Sequence, residues 1–190
     1  MSGNKELYEL FREKAEAVSA KVSTIKTLPE AFLYAADLIV NSDNADAIKD
    51  KTITAPGLSD DDFAQLETIC SEKGITLIRA GLLDNTAGID VGVTRADYGI
   101  AETGTLVVDS KSEDLRLATM ISNIHVAILP ASKIRATALD LTAEMNEILE
   151  KSAGYMAFIT GPSRTADIER ILALGVHGPL ELHILVQEGK

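Results

Sequence analysis

Cysteine is almost absent from this 190-residue chain, with Cys70 the only one. That count excludes a disulfide framework, a CxxC zinc site and an iron–sulfur cluster held by this chain alone. Positive charge is scarce as well: 18 Lys and Arg stand against 29 Asp and Glu, a formal net charge of −11. Such a field repels nucleic-acid phosphates and anionic lipid surfaces, so no nucleic acid is expected as a partner, although a local cluster of donors can still hold a small anion. Long apolar runs are missing too. Stretches such as Ile121–Pro130 fall well short of the roughly 20 residues that cross a bilayer, so no membrane insertion is expected. The start, Met1-Ser-Gly-Asn-Lys-Glu, leads into a charged amphipathic pattern rather than an apolar signal region, which makes the cytoplasm the expected location.

Motifs are thin. No GxGxxG follows a strand and no GxxxxGKS/T occurs, so dinucleotide and P-loop sites lack their fingerprint. Ser163 has no GxSxG elbow around it, which argues against a hydrolase. No HxH or HExxH spacing is present, and neither a metal site nor a cofactor is expected in this chain.

What is present suits a folded domain: 46% of the residues are hydrophobic and 25% charged, enough to bury a core. The first forty residues read as two helices. Leu7, Leu10, Phe11, Val18 and Val22 fall on one helical stripe, and Leu28-Pro-Glu opens a second helix after a Ser23–Thr27 break. From Thr52 onward, strand and helix signals alternate. Strands are predicted at Thr52–Ala55, Ile75–Ile78, Ile89–Val93, Tyr98–Ala101, Thr105–Asp109, His125–Leu129, Tyr155–Thr160 and Leu182–Val186. Helices are predicted from Ser59 to Gly74 and over Glu113–Met120, Thr137–Glu150 and Ser163–Leu174. Short apolar strands alternating with helices imply an α/β layered sheet, largely parallel, with some antiparallel pairs in the glycine-punctuated middle. Residues 1–45 read as an N-terminal helical segment and 46–190 as the α/β domain.

Two constellations carry possible chemistry. In Phe158-Ile-Thr-Gly-Pro-Ser-Arg-Thr-Ala-Asp-Ile-Glu169, a strand runs through Gly161-Pro162 into Ser163, placed as the N-cap of a helix. Free N–H groups there, the fork of Arg164 and the hydroxyls of Ser163 and Thr165 would suit a carboxylate or phosphate. The alternative is an ordinary capped turn in which Asp167 and Glu169 answer the helix dipole. In Thr94-Arg-Ala-Asp-Tyr-Gly-Ile-Ala-Glu-Thr-Gly-Thr-Leu106, Glu102 sits at a strand end beside glycine, fit to act as base, nucleophile or acceptor. The alternative is that Glu102 and Asp97 pair with Arg95 or Arg116 to fix the loops. Of the histidines, His177 in Gly175-Val-His-Gly-Pro179 suits an exposed functional imidazole, whereas His125 and His183 open apolar strands and read as satisfied near-core side chains.

Taken together, Ala101-Glu-Thr-Gly-Thr-Leu106, Arg116-Leu117, His125-Val-Ala-Ile128, Ile159-Thr-Gly-Pro-Ser-Arg-Thr-Ala-Asp-Ile-Glu169 and Gly175-Val-His-Gly-Pro179 with Leu182-His-Ile-Leu-Val186 resemble the LUD-domain family, the lactate utilization protein C (YkgG-like) proteins. The resemblance spans roughly Ile89 to Val186, and residues 1–60 match only in general layout. Where the family often carries Leu-Pro before the histidine strand, this chain has Ile121-Ser-Asn-Ile124. The resemblance implies a fold like that of the NagB/RpiA/CoA-transferase-like superfamily, a layered sheet flanked by helices, here with an N-terminal helical extension. It implies a role in oxidising L-lactate to pyruvate beside iron–sulfur partner proteins. Carried over position by position, it marks Glu102 and His177 as the catalytic pair. It also marks Thr103, Gly104, Thr105, Arg116, His125, Gly161, Ser163, Arg164, Thr165, Asp167, Gly178 and His183 as substrate-binding, with a small carboxylate as ligand. Two alternatives stand beside it: a non-catalytic assembly or regulatory subunit, and a CoA-transferase-like enzyme using Glu102 as nucleophile, for which no Gly-rich loop fit for a CoA thioester is seen.

Overall fold

The computed structural model describes residues 2–40, 51–84, 88–151, 155–166, 172–174 and 178–189. It opens with helix α1 (Ser2–Ala17), strand β1 (Lys21–Ile25) and helix α2 (Leu28–Val40). The expectation of two helices over the first forty residues is therefore corrected, because a strand lies between them. Val22 follows Val18 by four residues, so the helical spacing runs on by coincidence into a five-residue strand in which Val22 and Ile25 are the buried positions. Helix α2 starts at Thr27-Leu-Pro-Glu30, where Glu30 accepts from the Lys26 N–H at 2.9 Å and from Thr27 Oγ1 at 3.1 Å, a variant of the capping box.

Strand β2 (Thr52–Thr54), helix α3 (Asp60–Glu72) and strand β3 (Thr76–Ile78) follow. Ser59 caps α3 by accepting from the Asp62 N–H at 3.2 Å, and three aspartates occupy the positive end of its dipole. Next come β4 (Ile89–Arg95), β5 (Tyr98–Ile100), β6 (Thr105–Asp109), α4 (Glu113–Ile121) and β7 (Ser122–Pro130). The chain closes with β8 (Ile134–Arg135), α5 (Thr142–Lys151), β9 (Met156–Ile159), β10 (Arg164–Ala166), β11 (Leu172–Leu174) and β12 (Glu181–Gln187).

A second correction falls in this last part. The helix expected over Ser163–Leu174 does not form: Arg164–Ala166 and Leu172–Leu174 pair as antiparallel strands. The Ser163 N–H, which a helix start would leave free, donates to the Pro179 carbonyl at 2.9 Å. A serine followed by acidic residues reads locally as a cap, but here cross-strand partners satisfy the backbone instead.

Six strands form one parallel sheet in the order β1-β12-β7-β4-β2-β3. Its centre is apolar on both faces, as a parallel sheet requires. Val126 and Ile128 of β7 face α2 and α3 in one core, which holds Phe32, Ala35, Leu66 and Val91. Ala127 and Leu129 face the other core, shared with Phe11 and Ala15 of α1 and with Leu106 and Val108 of β6. Strand β3 is the sheet edge, with Thr76 exposed and its neighbours half-buried. The expected antiparallel pairs are found in a second sheet, β8-β5-β6-β9, laid over the α1 side of the first. Ion pairs such as Arg12–Glu16 lie on the surface and contribute little; the two apolar cores hold the layers together.

Helix α1 is seated by two glycines. Gly104 has φ +64°, and a Cβ there would lie 2.2 Å from the Ala15 nitrogen. Gly161 has φ +73°, and its Cβ would lie 2.5 Å from the Val18 carbonyl oxygen. Both the left-handed backbone and the close approach require glycine. Replacing Gly104 with alanine is expected to lower the unfolding free energy by about 2–4 kcal/mol, read as a reduced urea midpoint. A midpoint within error of the parent would show that α1 is not clamped at this point.

Candidate functional site

The strand order decides where a site can lie. From β2 the chain runs outward to β3, then returns past β2 to β4 and continues through β7 to β12. Connections leaving the carboxyl ends of β2 and β4 therefore diverge to opposite faces and leave a crevice between them, the usual ligand position in an open α/β sheet. A cleft of about 610 Å³ occupies it. Pro56 and Gly57 after β2, Arg95 to Tyr98 after β4, and Pro130 and Lys133 after β7 form its walls, closed by Asp109, Lys111, Ser112 and Leu115 from the β6–α4 connection and Ile148 of α5.

Three cations line this cleft in a strongly acidic protein. Arg95 sits 3.8 Å from the Asp62 carboxylate, Lys111 pairs with Asp109 at 3.3 Å, and the Lys133 ammonium stands 4.9 Å from the centre of the Tyr98 ring. Asp97 is tied to β6: its N–H donates to the Val107 carbonyl at 2.9 Å, and its Oδ2 accepts from the Asp109 N–H at 2.6 Å. Burial raises the proton affinity of the Asp97 carboxyl above its ordinary value, and the Asp109 charge adds to this. The Asp109 N–H bond, Lys133 and Lys111 act in the opposite direction. Arg116 holds the adjoining turn, donating to the carbonyls of Ser110 at 2.7 Å and Lys111 at 3.1 Å, with its guanidinium 5.6 Å from the Tyr155 ring centre.

The two sequence constellations do come together, but at the far end of the β5–β6 hairpin. Strand β6 pairs with β9, and the hydroxyls of Thr103, Thr105 and Thr160 form a chain with steps of 2.7 and 2.8 Å. Gly104 and Gly161 lie against the last turn of α1, and Arg164 donates to Ser19 just beyond it. Ser19 has φ +70°, the left-handed conformation that ends a helix, and the Ala20 N–H returns to the Ala15 carbonyl at 3.0 Å. Glu102 accepts from the Ala138 N–H at 3.2 Å. The expected alternative pairing of Glu102 and Asp97 with Arg95 or Arg116 does not form, because each carboxylate is held by a backbone N–H and Arg95 pairs with Asp62. Gly178 packs against Ser163, where a Cβ would stand 3.0 Å from the Ser163 Cβ. Thr165 lies on β10, and Asp167 and His177 lie outside the described residues.

Neither His125 nor His183 lines the cleft. His183 is buried between sheet and α2: its Nε2 donates to Glu181 at 2.7 Å, which leaves Nδ1 to accept from the Tyr34 hydroxyl at 2.8 Å. Glu181 in turn pairs with Lys21 at 2.6 Å, and this bond, with that of His183, holds its carboxyl below the usual range. Among the described residues, no cluster of three or more His, Cys, Asp or Glu is placed to hold a metal ion.

Sequence reasoning weighed Asp97 and Arg95 only as loop-fixing residues and missed Lys111 and Lys133 as a group. Their shared signal is position: each follows the carboxyl end of a strand, at sequence distances that give no motif. Strand order is what joins them, and strand order is not written in local spacing.

His125 is 1% exposed and bonded to Thr94 Oγ1 at 2.7 Å, and burial pushes its imidazole down to about 4 from 6.5. Above about pH 6.5 this histidine is neutral in both the folded and unfolded chain. As pH falls towards 4, the unfolded chain takes up a proton that the folded one refuses, so stability is lost across that window, reaching about 3 kcal/mol. In paired urea titrations from about pH 7 to about pH 4.5, His125→Gln is expected to remove that part of the acid destabilisation; an unchanged pH slope would contradict the buried neutral imidazole.

The chain is 34% identical over 114 residues to Lactate utilization protein C of Halalkalibacterium halodurans, covering 57% of this chain and 49% of that one. It is 35% identical over 107 residues to Lactate utilization protein C of Geobacillus thermodenitrificans, covering 55% and 45%. The chain thus spans about half the length of the curated relatives it matches. The crystal structure of a DUF162 family protein from Deinococcus radiodurans shares the fold, with a TM-score of 0.63 over 97% of this chain and 98% of that one at 16% identity. No helix among the described residues is long and apolar enough to cross a membrane. A family model described as the LUD domain matches residues 8–186, nearly the whole chain, which therefore belongs to the LUD domain family.

Proposed function

We propose that this chain is a cytoplasmic component of an L-lactate utilization system, binding a small carboxylate in the switch-point cleft and acting beside iron–sulfur partner proteins. The observation that carries the reading is the convergence of Arg95, Lys111 and Lys133 on one cleft in a chain of net charge −11. In so acidic a protein, cations gathered at the carboxyl ends of parallel strands favour an anion there through local charge and hydrogen bonding. The relatives named Lactate utilization protein C supply the substrate class. Oxidation of lactate to pyruvate releases two electrons. A cluster to carry them needs several thiolates, and this chain has one thiol, Cys70 on α3, buried and pushed up to about 11 by burial. The clusters accordingly belong to partners.

The cleft takes the carboxylate in preference to the Ser163–Arg164 segment. No helix starts at Ser163, and Arg164 is engaged with Ser19. Calorimetric titration with L-lactate and pyruvate separates the two locations. Lys133→Ala is expected to weaken binding about tenfold or more, while Arg164→Ala leaves it unchanged. The reverse pattern would move the site to the β9–β10 connection. No binding by the parent chain, alone or with its iron–sulfur partners, would remove the carboxylate reading and leave an assembly role.

A further inference from the structure

Resting on the carboxylate reading of the cleft, we infer that Asp97 sets the preference of the cleft between a 2-hydroxy acid and the corresponding 2-oxo acid. Asp97 stands at the carboxyl end of β4, and its carboxyl is pinned from β6 through Oδ2 and the Asp109 N–H at 2.6 Å. Oδ1 has no hydrogen-bond donor among the described residues, and the residue lines the cleft. The charged groups that share the cleft with it are Arg95 at the end of β4, Asp109 and Lys111 from β6 and the turn after it, and Lys133 from the turn after β7. Helix α5 contributes Ile148 and the β2 turn Pro56 and Gly57, none of which titrates. Cations on the cleft walls meet the carboxylate of a bound 2-substituted acid, so the oxygen on its second carbon is the group left for Asp97.

That oxygen distinguishes the two ligands. A 2-oxo oxygen only accepts, so it needs Asp97 protonated; a 2-hydroxyl donates to Asp97 ionised and accepts from it protonated, so the 2-oxo acid beside ionised Asp97 is the one mismatched pair. Burial lifts the proton affinity of Asp97 above that of a solvated aspartate and the Asp109 charge adds to this, while the Asp109 N–H, Lys133 and Lys111 oppose it, so the protonated form is more accessible here than in an exposed carboxyl. The matched pair gains a hydrogen bond that the mismatched pair leaves unmade, a difference of about tenfold in affinity. No electron transfer is part of this inference: one proton moves between solvent and Asp97 Oδ1.

The test is calorimetric titration of the full chain with pyruvate and with L-lactate between about pH 8 and about pH 5, in buffers of different ionisation enthalpy, with circular dichroism confirming the fold at each pH. The pyruvate-to-lactate affinity ratio is expected to rise about tenfold towards the acid end, with proton uptake on pyruvate binding. In Asp97→Asn, whose amide donates and accepts at every pH, the ratio is expected to stay flat. A flat ratio with no proton uptake in the parent overturns the inference even if the variant fails to fold, and so does an unchanged pH dependence in Asp97→Asn. Binding that Lys133→Ala abolishes but that shows no pH dependence overturns this inference and keeps the carboxylate reading. Absence of binding at every pH overturns both.

Discussion

A parallel sheet cannot leave either face in water, and most of this molecule follows from that constraint. Strands β12, β7 and β4 carry apolar side chains on both sides, so each crossover has to cover a face. The connections around β2 and β3 cover one face with α2 and α3. The connection that leaves β4 brings the β5–β6 hairpin to the other, where it shares a core with α1. Once the coverings diverge at β2 and β4, the carboxyl ends of those strands cannot be closed over by either layer. The cleft is the geometric remainder of burying the sheet.

The α1 side depends on a tighter contact. Two glycines from different strand ends, Gly104 and Gly161, meet the last turn of α1, and Arg164 meets Ser19 beyond it. This explains why glycine, threonine and arginine stand together in both sequence constellations without requiring them to touch a ligand. The chain Thr103–Thr105–Thr160 satisfies hydroxyls at the end of the hairpin, and Gly104 and Gly161 let a helix backbone approach closely. Residue types that suit a phosphate or carboxylate cradle also suit a close-packed helix end, and in this molecule a helix end is what they receive.

The sequence was legible wherever one local signal dominated. Helix α3, with its serine cap and aspartate-rich first turn, and strands β7 and β12, with continuous apolar runs, carry their conformation in themselves. Strand β1 was not legible because Val22 continues a helical spacing and the partner strand, β12, lies at the other end of the chain, with Lys21 opposite His183. Strands β10 and β11 were hidden by a cap-like Ser163 whose N–H goes to Pro179. The cleft was illegible for a related reason. Arg95, Lys111 and Lys133 become neighbours only through the strand order β7-β4-β2, which no local window contains.

The distribution of carboxylates sharpens the case for the cleft over the hairpin end. Glu102 lies at the tip of the β5–β6 hairpin, where its partner is the exposed Ala138 N–H. Asp97 lies at the other end of the same hairpin, half-buried and among cations. Its carboxyl is fixed by the Asp109 N–H of β6 and its own N–H by the Val107 carbonyl, so the rigidity of the second sheet is transmitted to the wall of the cleft. A carboxyl held in place by main chain, with its proton affinity raised by burial and cations beside it, has the properties that let one side chain respond to the hydrogen-bonding character of a ligand. Arg116 adds to this by locking the turn that carries Lys111 through two carbonyls of that turn. Cation and acid are thus positioned by backbone contacts from separate elements, and an anion entering the cleft meets a largely preorganised wall.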